Sequence, residues 1–158
     1  MKTNTNNKRH WMSRILNIGA ALALVSALSS CTIHENTRQI SPSFSETGVT
    51  KLRSFYVRKH ADDDYKLGEE IASQLQMMGY RATSGTAQSP PGRVDAVVSY
   101  MDRWVWDMTM YMLSLDVQLR EPGSDTILAT AKTVRSSLIR KSQQEMVRET
   151  LTKLLKNQ

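Results

Sequence analysis

Asp102 and Asp107 bracket an aromatic pair, Trp104 and Trp106. Two acids beside aromatic platforms are the equipment of a sugar-cleaving site, where one protonates the leaving oxygen and the other serves as base or nucleophile. A second acidic run, Asp62-Asp63-Asp64, offers oxygen ligands for a hard cation, or an N-cap and favourable negative charge for a helix start. With no second acidic cluster at a recognisable spacing, capping is the expected role and no metal is assigned. Imidazoles, the usual general bases, are scarce: His34 lies in a polar stretch with no neighbouring ligands, and His60 sits at the end of a strand pattern. Cys31 is the sole cysteine in 158 residues, which excludes an internal disulfide. There is no glycine-rich phosphate loop, no Gly-x-Ser-x-Gly, no His-Glu-x-x-His and no cysteine pair. Accordingly no catalytic residue and no cofactor is assigned, and an enzyme is not expected.

What precedes Cys31 explains why it stands alone. Met1 to Arg14 is polar and basic, and Ile15 to Leu28 is almost wholly apolar. That run is shorter than the roughly 20 residues a permanent membrane span needs, and the order basic then apolar is that of a secretory signal. Leu28-Ser29-Ser30-Cys31 closes the run and resembles the lipobox of bacterial lipoproteins, in which small residues fit the signal-peptidase cleft and the thiol receives a diacylglyceryl group before cleavage. The resemblance implies a signal peptide over 1–30, recognition through Leu28, Ser29 and Ser30, and membrane attachment through lipid on Cys31. Thr32 follows the cysteine where an aspartate would imply retention in the inner membrane, so the resemblance implies the periplasmic side of the outer membrane.

Processing also changes the charge. Of 21 basic side chains, Lys2, Lys8, Arg9 and Arg14 precede Cys31, which leaves 17 against 15 acidic ones and reduces +6 to +2. A net charge that small argues against a nucleic-acid partner.

The elements that must position these residues follow from periodicity. Residues 31–48 are polar, with little apolar patterning, and read as the lipidated cysteine and a flexible spacer; residues 49–158 read as one domain. Val49 to Lys59 is a strand, Asp63 to Met78 a helix on Leu67, Ile71, Leu75 and Met78, and Gly79 its stop. Tyr80 to Thr83 is a short strand and Ser84 to Arg93 a loop. Val94 to Trp106 reads as a central strand, and Tyr111 to Arg120 as a half-buried antiparallel one. Glu121-Pro122-Gly123-Ser124 has the residues of a type II turn, returning the chain through Thr126 to Ser136. Ser142-Gln143-Gln144-Glu145 is a capping box for a helix over Gln143 to Lys156. The expected fold is α+β: a single antiparallel or mixed sheet of four to five strands with two helices packed on one face.

The cluster Tyr100, Trp104, Trp106, Met108, Met110, Tyr111 and Met112 has three readings: core packing, a surface for a protein partner centred on Trp104, Trp106 and Met108, or a lipid or glycan contact. Alternation with Val105 places both tryptophans on one strand face without saying whether helices cover it.

The Trp104-x-Trp106-Asp107-Met108 segment, followed by Tyr111-x-Leu113 and Leu128-Ala129-Thr130-Ala131, resembles small proteobacterial lipoproteins of unassigned function. Two helices and a small sheet behind a lipidated cysteine are also similar, in architecture only, to the lipopolysaccharide-assembly lipoprotein that plugs an outer-membrane barrel; no binding residue carries over. The functional expectation is a lipid-anchored envelope protein with a non-catalytic binding or accessory role and a possible envelope protein as partner, its oligomeric state open. A glycan-acting hydrolase is the alternative.

Overall fold

Residues 36–156 are described by the computed structural model. Leu28, Ser29, Ser30 and Cys31, with Thr32 and His34, lie outside these residues. The elements run β1 (Thr37–Ile40), α1 (Glu46–Lys51), β2 (Ser54–Arg58), α2 (Leu67–Met77), β3 (Arg81–Gly85), β4 (Ala96–Asp107), β5 (Thr109–Arg120), β6 (Ile127–Val134) and α3 (Gln143–Leu155). All six strands join one mixed sheet in the spatial order β1-β6-β5-β4-β2-β3. β2 pairs in parallel with β3 and with β4, and the other neighbours are antiparallel. A parallel pair requires a crossover, which α2 supplies between β2 and β3.

The expected four to five strands and two helices are therefore corrected, among the described residues, to six strands and three helices. Both additional elements begin in the stretch expected to be flexible spacer. β1 has Ile40 as its one large apolar side chain, so no hydrophobic period marks it; backbone pairing with β6, Thr37 opposite Lys132 through Ile40 opposite Ala129, makes it a strand. Arg38 fastens it, reaching Glu46 of α1 at 2.5 and 2.9 Å and the Leu154 carbonyl of α3 at 3.3 Å. α1 is a six-residue helix capped by the Ser45 hydroxyl, which accepts the Gly48 N–H at 3.1 Å, and Val49 is its one buried residue. Too short to show a period, it takes over the start of the strand expected at Val49 and leaves Ser54–Arg58 as β2.

The acidic run caps a helix without joining it. The Asp63 carboxylate accepts the N–H groups of Leu67 and Gly68 at 2.7 and 2.8 Å, and Lys66 turns the chain at φ 53, so α2 begins at Leu67 rather than Asp63. Gly68 is needed there, because a Cβ would stand 2.6 Å from Lys59 Cγ and 3.0 Å from the Tyr100 hydroxyl. α3 carries the expected capping box between Ser142 and Glu145.

Alternation then decides the core. Phe55, Val57, Ala96, Val98, Tyr100, Leu115, Val117, Leu119, Ala129 and Ala131 fall on one sheet face and pack with Leu67, Ile71 and Leu75 of α2 and Met146, Val147, Leu151 and Leu154 of α3. The small Ala129 and Ala131 let α3 approach the sheet. Ser99, Ser114, Asp116, Gln118, Thr130 and Lys132 alternate onto the opposite face and remain half-exposed.

Candidate interaction surface at the hairpin tip

β4 and β5 are each 12 residues long, yet the helices cover only part of their length. From Ala96 to Tyr100 the core-facing side chains of β4 are buried; from Met101 onward the strand emerges from its cover. β2 pairs with β4 only over Ala96–Val98, and β6 pairs with β5 only as far as Ser114, so the distal half of the hairpin projects beyond both neighbours. A register shift between Arg103 and Trp104 leaves Leu113 as the extra residue of β5. Its carbonyl is not orphaned, since it accepts the Arg135 N–H at 2.8 Å.

The two tryptophans share the helix-side face but have different fates. Trp104, opposite buried Met112, is half-buried against the core. Its ring stacks on Tyr65 at 4.0 Å and 19° between planes, and its indole N–H donates to Asp102 at 2.7 Å. Both its apolar body and its polar edge are therefore satisfied within the fold. Trp106, two residues further out and opposite Met110, is 69% exposed. Met108 turns the hairpin alone between Asp107 and Thr109, in the left-handed region at φ 60, and is 86% exposed. A side chain with a Cβ is disfavoured in that conformation by roughly 1–2 kcal/mol, and an apolar one gains nothing from water. The turn thus keeps a methionine where glycine or asparagine would fold more easily.

A second segment completes the surface, and the sequence reading did not find it. Leu138 and Ile139, in the loop between β6 and α3, are 92% and 49% exposed. Arg140 clasps this loop to the hairpin: its guanidinium donates to the Asp107 carbonyl at 2.8 Å, the Asp107 carboxylate at 3.0 Å and the Thr109 hydroxyl at 2.6 Å, and it lies 4.5 Å over the Tyr111 ring. Glu149 of α3 holds both loop ends, pairing with Arg135 at one side and with Lys141 at the other, at 2.6 Å, while Lys153 adds a third cation at 2.7 Å. Burial alone would raise the Glu149 carboxyl, but hydrogen bonds from Lys141, Lys153 and Arg135 override it and hold the group at about 2. A Ser-Ser-Leu-Ile-Arg-Lys string between a strand and a capping box was the available sign, too short to carry a period.

The groups that could do chemistry are occupied elsewhere and apart. Asp102 is bound to Trp104, and Asp107 to Arg140. Five residues along a strand separate them by roughly 17 Å, beyond the about 5–9.5 Å that paired glycosidase carboxylates span, and their odd and even positions place them on opposite faces. His60 Nε2 meets the Tyr100 carbonyl at 2.7 Å, with its ring edge-on to the tyrosine. The Tyr100 hydroxyl, pushed well above its ordinary range by burial and by Asp63, donates to that carboxylate at 2.9 Å. A shallow groove of about 360 Å³ runs along Asp62, Asp64, Tyr65 and Asp102. Among the described residues no three histidine, cysteine or acidic side chains converge as a metal site, and no helix is long and apolar enough to cross a membrane.

The fold as a whole is similar to that of solved structures. The dodecamer of PelC from Paraburkholderia phytofirmans, in a leucine-to-methionine variant, is similar at 12% identity and a TM-score of 0.54, covering 80% of this chain and 100% of that one. A second PelC dodecamer from the same organism, in another crystal form, gives 11% identity and a TM-score of 0.53 with the same coverage. At such identities the likeness is one of fold. No family model matches the chain, and no curated protein matches it.

Proposed function

We propose that this chain is a lipid-anchored cell-envelope protein on the periplasmic side of the outer membrane, with a non-catalytic binding role that it performs as an assembly of its own copies. The observation that carries the self-assembly is the sharing of a fold with PelC dodecamers over the whole of that chain. Fold alone does not transmit function, so the binding role draws support from the side chains: Asp63, Asp102, Asp107 and His60 all serve local structure, while Trp106 and Met108 stand exposed at the hairpin tip. Trp104, expected beside them, belongs to the base that supports the tip. A hydrolase would require two carboxylates facing one cleft, and the Asp102 and Asp107 positions do not supply them.

Sedimentation of the detergent-extracted mature protein tests the assembly. A multimer of defined size is expected, and a monomer at every concentration would sink the proposal. Asp102→Asn and Asp107→Asn should leave any envelope phenotype unchanged while Trp106→Ala alters it; the reverse pattern would restore the hydrolase.

A further inference from the structure

The hairpin tip and the N-terminal end of the described chain lie toward the same end of the sheet. The Asn36 carboxamide oxygen accepts from the Val134 N–H and from the Arg135 guanidinium, each at 3.4 Å. Val134 is paired with Ser114, and from that level β5 continues through Thr109–Leu113 and β4 through Trp104–Asp107 to the turn at Met108. At about 3.3 Å per residue, the tip stands roughly 15 Å beyond the level of Asn36. Cys31 and Asn36 are five residues apart, and a chain of that length spans at most about 18 Å. A lipid on Cys31 therefore holds Asn36 at most about 18 Å away, a distance comparable to the reach of the hairpin.

What the hairpin carries there suits a bilayer. Trp106, Met108 and Met110 are exposed together, with Leu138 and Ile139 on the neighbouring loop. Tryptophan favours the headgroup level, with aliphatic and methionine side chains below it. Asp107, the carboxylate at the tip, is neutralised by Arg140, so its charge is not presented alone to phosphate headgroups.

We infer that the β4–β5 tip, with Leu138 and Ile139, is a membrane-contact surface that seats Trp106 and Met108 in the interfacial layer of the bilayer holding the Cys31 lipid. The inference rests on the anchored reading above and extends it. Two attachments at one end of the domain, one covalent and one adsorbed, fix its orientation, whereas a lipid alone leaves it free to tumble.

The test uses the mature lipoprotein in vesicles of phosphatidylethanolamine and phosphatidylglycerol, with and without bromine in the acyl chains as a contact quencher of tryptophan. Trp104→Phe isolates the emission of Trp106, and Trp106→Phe isolates that of Trp104. The expected result is protein that floats with the vesicles, with Trp106 emission roughly twofold or more lower over brominated lipid and Trp104 emission little changed. Flotation without quenching of Trp106 overturns the inference while leaving the anchor standing. A blue-shifted, unquenched Trp106 also overturns it, because the tip is then covered by another copy of the chain. Protein that fails to float removes the anchored reading and the inference with it.

Discussion

Glu149 shows how one carboxylate organises a surface it does not belong to. By pairing with Arg135 and Lys141 it ties both ends of the loop that presents Leu138 and Ile139, and Lys153 sits on the same carboxylate from one helical turn away. Its pKa falls from 4.5 in the free side chain to about 2 in the fold. A carboxyl depressed by folding contributes stability that is complete above its unfolded value and is lost as pH falls through its folded one. Stability should therefore decline between about pH 4.5 and pH 2, by an amount that solvent screening of this partly exposed group holds to about 1–2 kcal/mol. Glu46, Glu69, Asp95, Asp125 and Glu145 are also held low by their partners, so they act in the same direction. Glu149→Gln should flatten part of this acid limb and cost about 2 kcal/mol or more at neutral pH, since three cations lose their counter-charge. Urea midpoints measured across pH decide it: an acid limb of unchanged size in the variant would show that Glu149 is not its source.

At the scale of the element, the fold depends on α2 and α3 meeting over the sheet. Leu75 and Leu151 are fully buried in the shared core, so Leu75→Ala and Leu151→Ala should each cost roughly 2–5 kcal/mol. A loss below about 0.5 kcal/mol at both positions would place the helices elsewhere. These helices were legible because their apolar residues recur at three and four and because Ser142 and Glu145 mark a start. β1 and α1 were not, for each contributes so little buried apolar surface that no pattern distinguishes it from spacer. Their structure comes from partners distant in sequence, the backbone of β6 and the Arg38 bonds to Glu46 and Leu154.

For the whole molecule, the governing quantity is the shortness of the chain between Cys31 and the domain. The expected spacer ran to residue 48, but β1 begins at Thr37, so under the proposed lipidation of Cys31 a tether this short would keep the sheet end near the bilayer. Extending the segment between Cys31 and Asn36 from four to about 16 Gly-Ser-rich residues should lower the effective concentration of the tip at the lipid surface roughly eightfold. Quenching of Trp106 by brominated lipid should then weaken while flotation is unchanged. Undiminished quenching would mean that the tip binds without help from the tether.

The proposed address rests on one dimension alone, a basic segment, an apolar run and the small residues before a lone cysteine, all of which lie outside the described residues. Most of the sheet was readable for a related reason: the alternation of Tyr111 to Leu119 and the turn at Gly123, which adopts φ 95, express local backbone geometry. Where Trp104 and Trp106 would lie was not readable. Both stand on the same strand face two residues apart, and only the lengths of α2 and α3, and the point where β2 and β6 stop pairing, bury one against Tyr65 and leave the other in solvent. The same holds for Asp102 and Asp107, which sequence spacing made a candidate pair and strand geometry sent to opposite faces, and for Leu138 and Ile139, brought to the tip by Arg140. Burial is decided by what packs on a residue from elsewhere in the chain, and that is a property of the tertiary structure.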